Sequence, residues 1–179
     1  MEEAIMPRID MIKYEELDAE GKRLYDEQVH THGKITNMKM TLLKNKFAFK
    51  VMMEWYPMRD EVAAFLGDFA TNVFAYSVSE ANSCLICSTF FRKILKDSGR
   101  DPDRLVLDEI ESLVAEFGRA LVTAPNNIDD TLFDKLKAKF TESQIIMLTT
   151  FGGMMMATNL VNNALQVTPD NYLYDYMKK

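Results

Sequence analysis

The chain has 179 residues, 47% of them hydrophobic and 27% charged, which excludes a disordered tail, a disulfide-stapled miniature and a large multidomain enzyme. Only 7 glycines and 5 prolines, against 13 methionines, leave few turn formers for a strand-rich sandwich and favour helices. With 21 Lys and Arg against 27 Asp and Glu the net charge is -6, which repels phosphate backbones and acidic lipid surfaces, so neither nucleic acid nor membrane is an expected partner.

Residues 1–20 alternate charges with short apolar pieces and lack the apolar core and cleavage site of a signal peptide, so a cytoplasmic location is expected. Asp18 reads as the N-cap of a first helix through Leu24 and Val29, stopped by Gly33 in the left-handed conformation. A polar linker with Thr36 and Asn37 follows. Leu42, Leu43, Phe47, Phe49, Met52, Met53 and Trp55 recur at helical spacing, and Pro57 is expected to break that run. A long helix is expected from Met58 through Val62, Phe65, Phe69, Val73 and Tyr76 into residues 77–83. Asn82 or Ser83 reads as the cap of the next helix, restarting at Cys84 and running to about Lys96.

Ser98-Gly99 supplies a stop, and Asp101-Pro102 reads as the start of an amphipathic helix from Leu105 to Leu121, ending before Pro125. Asp129 or Asp130 can cap a short helix with Leu132 and Leu136, and Thr141 with Gln144 forms a capping-box pair heading a final long helix. The apolar part of that helix, Ile145 to Val161, is shorter than the roughly 20 residues a bilayer crossing needs and is interrupted by polar residues, so it reads as a core helix. The expected organisation is an N-terminal helix and linker over residues 1–37 and one helical unit over 38–179.

Both cysteines fall in one C-x-x-C, Cys84 and Cys87. In a chain without a secretory signal that spacing reads as a redox dithiol, half of a metal site, or two small core hydrophobes. His30 and His32 complete four ligands on paper, but H-x-H is not a zinc-finger spacing, so both read as surface residues and no metal is expected. A cap at Asn82 or Ser83 puts Cys84 in a first turn, where free N–H groups favour a thiolate; Cys84 is then the more reactive thiol and Cys87 closes the disulfide. Glu80 precedes Cys84 by four residues and is a candidate to move a proton at the sulfur, or else a solvated acid at a helix end. Gly152-Gly153 lacks the flanking strand and Lys of nucleotide loops, so it reads as close helix packing and no cofactor is expected. Asn159, Asn162 and Asn163 face either a polar partner across a subunit seam or solvent.

The stretch VFAYSVSEANSCLIC, Val73 to Cys87, followed by Ser88 to Arg92, resembles the apolar helix, Asn-x-Cys break and C-x-x-C helix of the carboxymuconolactone decarboxylase and alkylhydroperoxidase D superfamily. Leu105 to Leu121, Phe140 to Glu142 and the Asn-rich Ala157 to Val167 are similar to the C-terminal part of its peroxidase-related branch, so the resemblance spans Met38 to Val167. It implies an all-α bundle with the C-x-x-C at a helix N-terminus, assembly into trimers or hexamers, and a Cys84–Cys87 dithiol cycling with a peroxide or disulfide substrate and a thiol reductant. The family's peroxidases usually carry Glu twelve residues before the first cysteine and His four after the second. Here those positions hold Asn72 and Phe91, and Ile86 stands where a His often precedes the second cysteine. Thiol chemistry with weak peroxidase activity is therefore expected. The alternative is a catalytically idle relative serving as an oligomeric ligand-binding or assembly module.

Overall fold

The computed structural model describes residues 6–178; Met1 to Ile5 and Lys179, the outer ends of the two expected segments, lie outside the described residues. Among these residues there are nine α-helices and no strand: α1 (Ala19–His32), α2 (Asn37–Leu42), α3 (Lys46–Met53), α4 (Trp55–Leu66), α5 (Asp68–Ala81), α6 (Leu85–Asp97), α7 (Glu109–Thr123), α8 (Asp130–Lys139) and α9 (Glu142–Leu165). Short 3-10 segments at Tyr14–Glu16 and Asn171–Tyr176 flank them. The expected all-α bundle is what the chain forms.

The local caps act as their sequence suggests. Asp18 accepts from the Gly21 N–H at 2.8 Å, and Gly33 ends α1 at φ 73°. Asp129 caps α8, and Thr141 and Gln144 exchange capping hydrogen bonds at the head of α9. Each such bond satisfies an otherwise orphaned helix-end donor.

Four expectations need correction. Thr36 and Asn37 are the cap and first residue of α2 rather than linker, and Asn45 then caps a separate α3. Pro57 does not break a helix; it sits third in α4, where the missing N–H would have had no helical acceptor. The expected long helix is instead cut into α4 and α5 at Gly67, whose φ of 83° is open to glycine and strained for other residues. Finally, Asp101-Pro102 forms a turn, and α7 begins at Glu109 behind an Asp108–Glu111 capping box. Leu105 and Leu107 still pack on the core, so their apolar spacing reflects burial without helix.

The main core surrounds α5, which packs on α4, α6, α7 and α9 and is buried almost continuously from Ala70 to Ser79. Phe74 lies between Phe117 and Phe151, with ring centroids 6.4 and 6.0 Å away. Gly152 lets α9 approach: a Cβ there would fall 2.5 Å from Leu121 Cδ1 and 3.3 Å from Phe74 Cζ, while one at Gly153 would meet nothing within 4 Å. The 24-residue α9 is long and apolar enough by length and composition to cross a membrane. Here Ile145, Leu148, Phe151 and Met155 on its length are buried in the core.

A smaller core of Leu17, Leu24, Leu42, Leu43 and Phe49 joins α1, α2 and α3. The C-terminal segment closes over this junction. Asn37 donates to the carbonyls of Thr168 and Pro169, and Arg92 donates to the Tyr176 carbonyl while holding Asp103 through two bonds of 2.8 and 2.9 Å. Those ties bring residues 168–176 onto α2 and α6.

Candidate functional site: a buried thiol pair beside an apolar cavity

α5 ends with the Asn82 N–H on the Val78 carbonyl and the Ser83 N–H on that of Glu80. Ser83 then turns through the left-handed region at φ 52°. This turn makes Cys84 itself the N-cap of α6, replacing the expected Asn82 or Ser83 cap. Its Sγ accepts from the Cys87 N–H at 3.3 Å, so the sulfur occupies the place a Ser or Asp oxygen takes at other helix starts. Cys84 is 1% exposed and Cys87 5%, and both are free thiols.

Two influences compete at Cys84. A hydrogen bond from the Cys87 thiol holds it below the ordinary thiol value, burial opposes this, and the N–H groups of Cys87 and Ile86 and the Asn162 amide add to the lowering. Cys87 is pushed the other way, first by its hydrogen bond to Cys84 and then by burial. The arrangement ranks the two coupled thiols, with the cap sulfur of Cys84 the more acidic.

Asn162 on α9 donates from Nδ2 to Cys87 Sγ at 3.1 Å and is 4% exposed. Asn163 donates to the Asn82 carbonyl at 3.2 Å, pinning the turn that presents Cys84. Of the three asparagines read as seam or surface, Asn159 and Asn162 are buried and Asn162 reaches a sulfur. Their i, i+3 spacing was the available signal.

Glu80 stands apart from this geometry. Its carboxylate accepts from Lys178 Nζ at 2.6 Å, and among the described residues it bonds to neither sulfur. The break at Asn82-Ser83 separates it from the face that carries Cys84 and Cys87. Phe91 is buried in the core beside the thiols, and Asn72 lies on α5. No group of three or more His, Cys, Asp or Glu side chains among the described residues is placed to hold a metal. His32 instead stacks on Tyr56, with centroids 3.9 Å apart.

Cys87 lines a cavity of about 120 Å³; Cys84 does not. Met38, Met52, Trp55, Phe90 and Met155 give it an apolar wall, and Tyr172 and Leu173 bring the C-terminal segment to its edge. Lys39 and Tyr56 face the same space. Neither was singled out from sequence, although Lys39 is an isolated cation within Met38-Lys39-Met40. Acidity and access are thus divided: the more acidic sulfur is Cys84, and the sulfur facing the cavity is Cys87.

Comparisons with protein-family models and with curated proteins find no match. Solved structures do match along nearly the whole chain. An uncharacterized peroxidase-related protein with an alkylhydroperoxidase AhpD core, from Ralstonia eutropha JMP134, superposes with a TM-score of 0.75 at 14% identity, covering 94% of each chain. A peroxidase-related protein from Silicibacter sp. TM1040 gives 0.74 at 17% identity over 96% of each. A cysteine-to-alanine variant of the debrominase Bmp8, in complex with 2,3,4-tribromopyrrole, gives 0.76 at 14% identity over 97% of each. The chain therefore has the alkylhydroperoxidase D-like fold.

Proposed function

We propose that the protein is a dithiol oxidoreductase in which Cys84 and Cys87 deliver two electrons to a substrate held in the cavity. The observation that carries this reading is the position of Cys87: it lines an apolar cavity while the sulfur of Cys84, capping the same helix, accepts its N–H. The matched structures are of peroxidase-related proteins and a debrominase, which supports an enzymatic use of the site.

With a hydroperoxide as substrate, the roles expected from sequence are exchanged: the Cys87 sulfur, which lines the cavity, attacks the terminal oxygen as its proton passes to the Cys84 thiolate. The O–O bond breaks, and the departing alkoxide takes the proton back from Cys84. The Cys84 thiolate then attacks the sulfenic sulfur of Cys87, expelling hydroxide and closing the disulfide. One hydroperoxide and two thiols become an alcohol, water and a disulfide, and an external thiol restores the pair. Asn162 donates to the Cys87 sulfur and also favours the charged form of Cys84. Asn72 and Phe91 stand where the family's peroxidases carry their acid and base, so on this reading the shared proton serves in place of that pair. Since a positioned acid or base contributes about 10²–10⁴-fold, peroxide turnover is slow on this reading.

The test is titration of free thiols across a series of glutathione or dithiothreitol poises, with intact mass at each step. Loss of both thiols with no added mass beyond disulfide formation, at a potential within the range of cellular thiol centres, supports the proposal. Two thiols that stay reduced at every poise would sink it and leave a ligand-binding module.

A further inference from the structure

The cavity has a second chemically active end that the dithiol does not use. Lys39 is 5% exposed, and its ammonium donates to Gln28 Oε1 at 2.7 Å and to the Tyr56 hydroxyl at 2.5 Å. An ammonium has three N–H donors, so one is left over. Both acceptors are neutral. Asp170 lines the same cavity, but it takes the Asn37 N–H at 3.1 Å and makes no ion pair with Lys39 among the described residues. Asp170 acts on Lys39 through charge without touching it, and a buried cation whose direct hydrogen-bond partners are both neutral is costly and gains from an anion brought beside it. Tyr56 is fixed by stacking on His32 and by an edge contact with Trp55, so its hydroxyl is held in place, with its own proton still to donate. At the thiol end, Asn162 Oδ1 is buried and has no hydrogen-bond partner among the described residues, and Asn162 lines the cavity.

Between these ends the wall is methionine and aromatic. An apolar cavity of roughly 150 Å³ accommodates a benzene molecule, so a space of this size, open on one side, takes one small ring. Methionine walls adapt to such rings and make favourable sulfur–aromatic contacts.

We propose that the cavity binds a small planar ring bearing one weakly acidic hydroxyl or ring N–H, a phenol or azole taken up as its anion, with Lys39 and Tyr56 holding the charged atom. This builds on the dithiol reading only in setting the ring beside Cys87, and it names the class of ligand the cavity holds, not the group the thiols reduce. Burial lowers Lys39 to about 8, which leaves it mostly protonated at neutral pH and ready to pair with an anion.

The test is equilibrium binding of para-nitrophenol and of its neutral isostere para-nitrotoluene to the reduced full-length protein at neutral pH. The phenol's visible absorbance reports whether it is bound as phenolate. The expected result is phenolate absorbance on binding and an affinity at least about tenfold above that of the toluene, as a charge-assisted hydrogen bond gives. Lys39→Met should remove that preference while still binding para-nitrotoluene, which also shows that the variant is folded. Lys39→Gln repeats the measurement with a polar side chain. Equal binding of both probes by the natural protein, no binding of either, or an undiminished phenolate preference in both variants would each overturn the proposal. Because binding is read without turnover, inert thiols with intact phenolate binding would count against the dithiol reading alone.

Discussion

Asn162 donates its side-chain amide to the sulfur of Cys87 at 3.1 Å, joining α9 to α6 across 75 residues of sequence. A donor aimed at a buried sulfur favours the thiolate, and the same amide lowers both cysteines. Hydrogen bonds to charged groups contribute about 1.5–3 kcal/mol, equivalent to about one to two pKa units. Asn162→Leu should therefore slow alkylation of the pair by about tenfold or more at neutral pH and move its pH profile upward. Iodoacetamide rates measured across pH decide this, and an unmoved profile would show that the amide serves packing alone.

The two sulfurs shift each other in opposite directions, so each single variant has a signed outcome. Cys87→Ala removes the hydrogen bond that most lowers Cys84, and the remaining thiol should titrate higher than the more acidic step of the natural pair. Cys84→Ala removes the partner that most raises Cys87, whose thiol should then titrate lower, nearer the ordinary value of 9.0. Thiolate ultraviolet absorbance followed against pH reads both. Two single-cysteine variants with the same titration midpoint as the natural pair would contradict the coupling.

Lys39 links the cavity to stability. Burial depresses its folded-state value to about 8 from an ordinary 10.5. Below about pH 8 the folded chain must hold this ammonium charged and desolvated, and between about 8 and 10.5 the unfolded chain binds more protons at this position than the folded one. Stability from this group thus rises with pH through that window. Lys39→Met should be more stable than the natural protein at pH 7, with the advantage shrinking as pH rises from about 8. Urea melts of both proteins at several pH values test the difference, which cancels the tyrosines and thiols common to the pair. A pH-independent gap would show that the lysine is not desolvated.

The adjacent glycines of α9 should respond oppositely to alanine. At Gly152 the new Cβ would overlap Leu121 Cδ1 at 2.5 Å, next to the fully buried Phe74. Overpacking of this kind costs about 1–3 kcal/mol, more than the roughly 1 kcal/mol that alanine gains over glycine in a helix. Gly152→Ala should lower the melting temperature. Gly153→Ala meets nothing within 4 Å and should raise it. If both variants raise it, helix propensity rather than the packing of α9 on α5 and α7 governs the site.

The parts of this protein legible in one dimension are those whose physics closes within a turn of helix. Asp18 with Gly21, Asp129 with Leu132, and Thr141 with Gln144 are caps whose partners lie three residues on, so residue type and spacing suffice. The C-x-x-C is of the same kind, since the Cys84 sulfur and the Cys87 N–H are brought together by the first turn of α6 alone. Pro57 was misjudged, and the helix expected from Met58 ran straight through Gly67, because a proline admits break or first turn and a glycine within an apolar repeat admits helix or corner, between which only the path of the backbone chooses. The cavity itself is tertiary throughout. Lys39 meets Gln28 and Tyr56, 11 and 17 residues away, and Asn162 meets Cys87 after 75. Such pairs leave no periodic trace, because a buried polar side chain is placed by the helices that converge on it and not by its neighbours in the chain. Sequence alone therefore determined the helical class, the local caps and the thiol pair, and the packing of α2, α4, α6 and α9 decided where several helices begin and end, which sulfur faces the cavity and which charged groups line it.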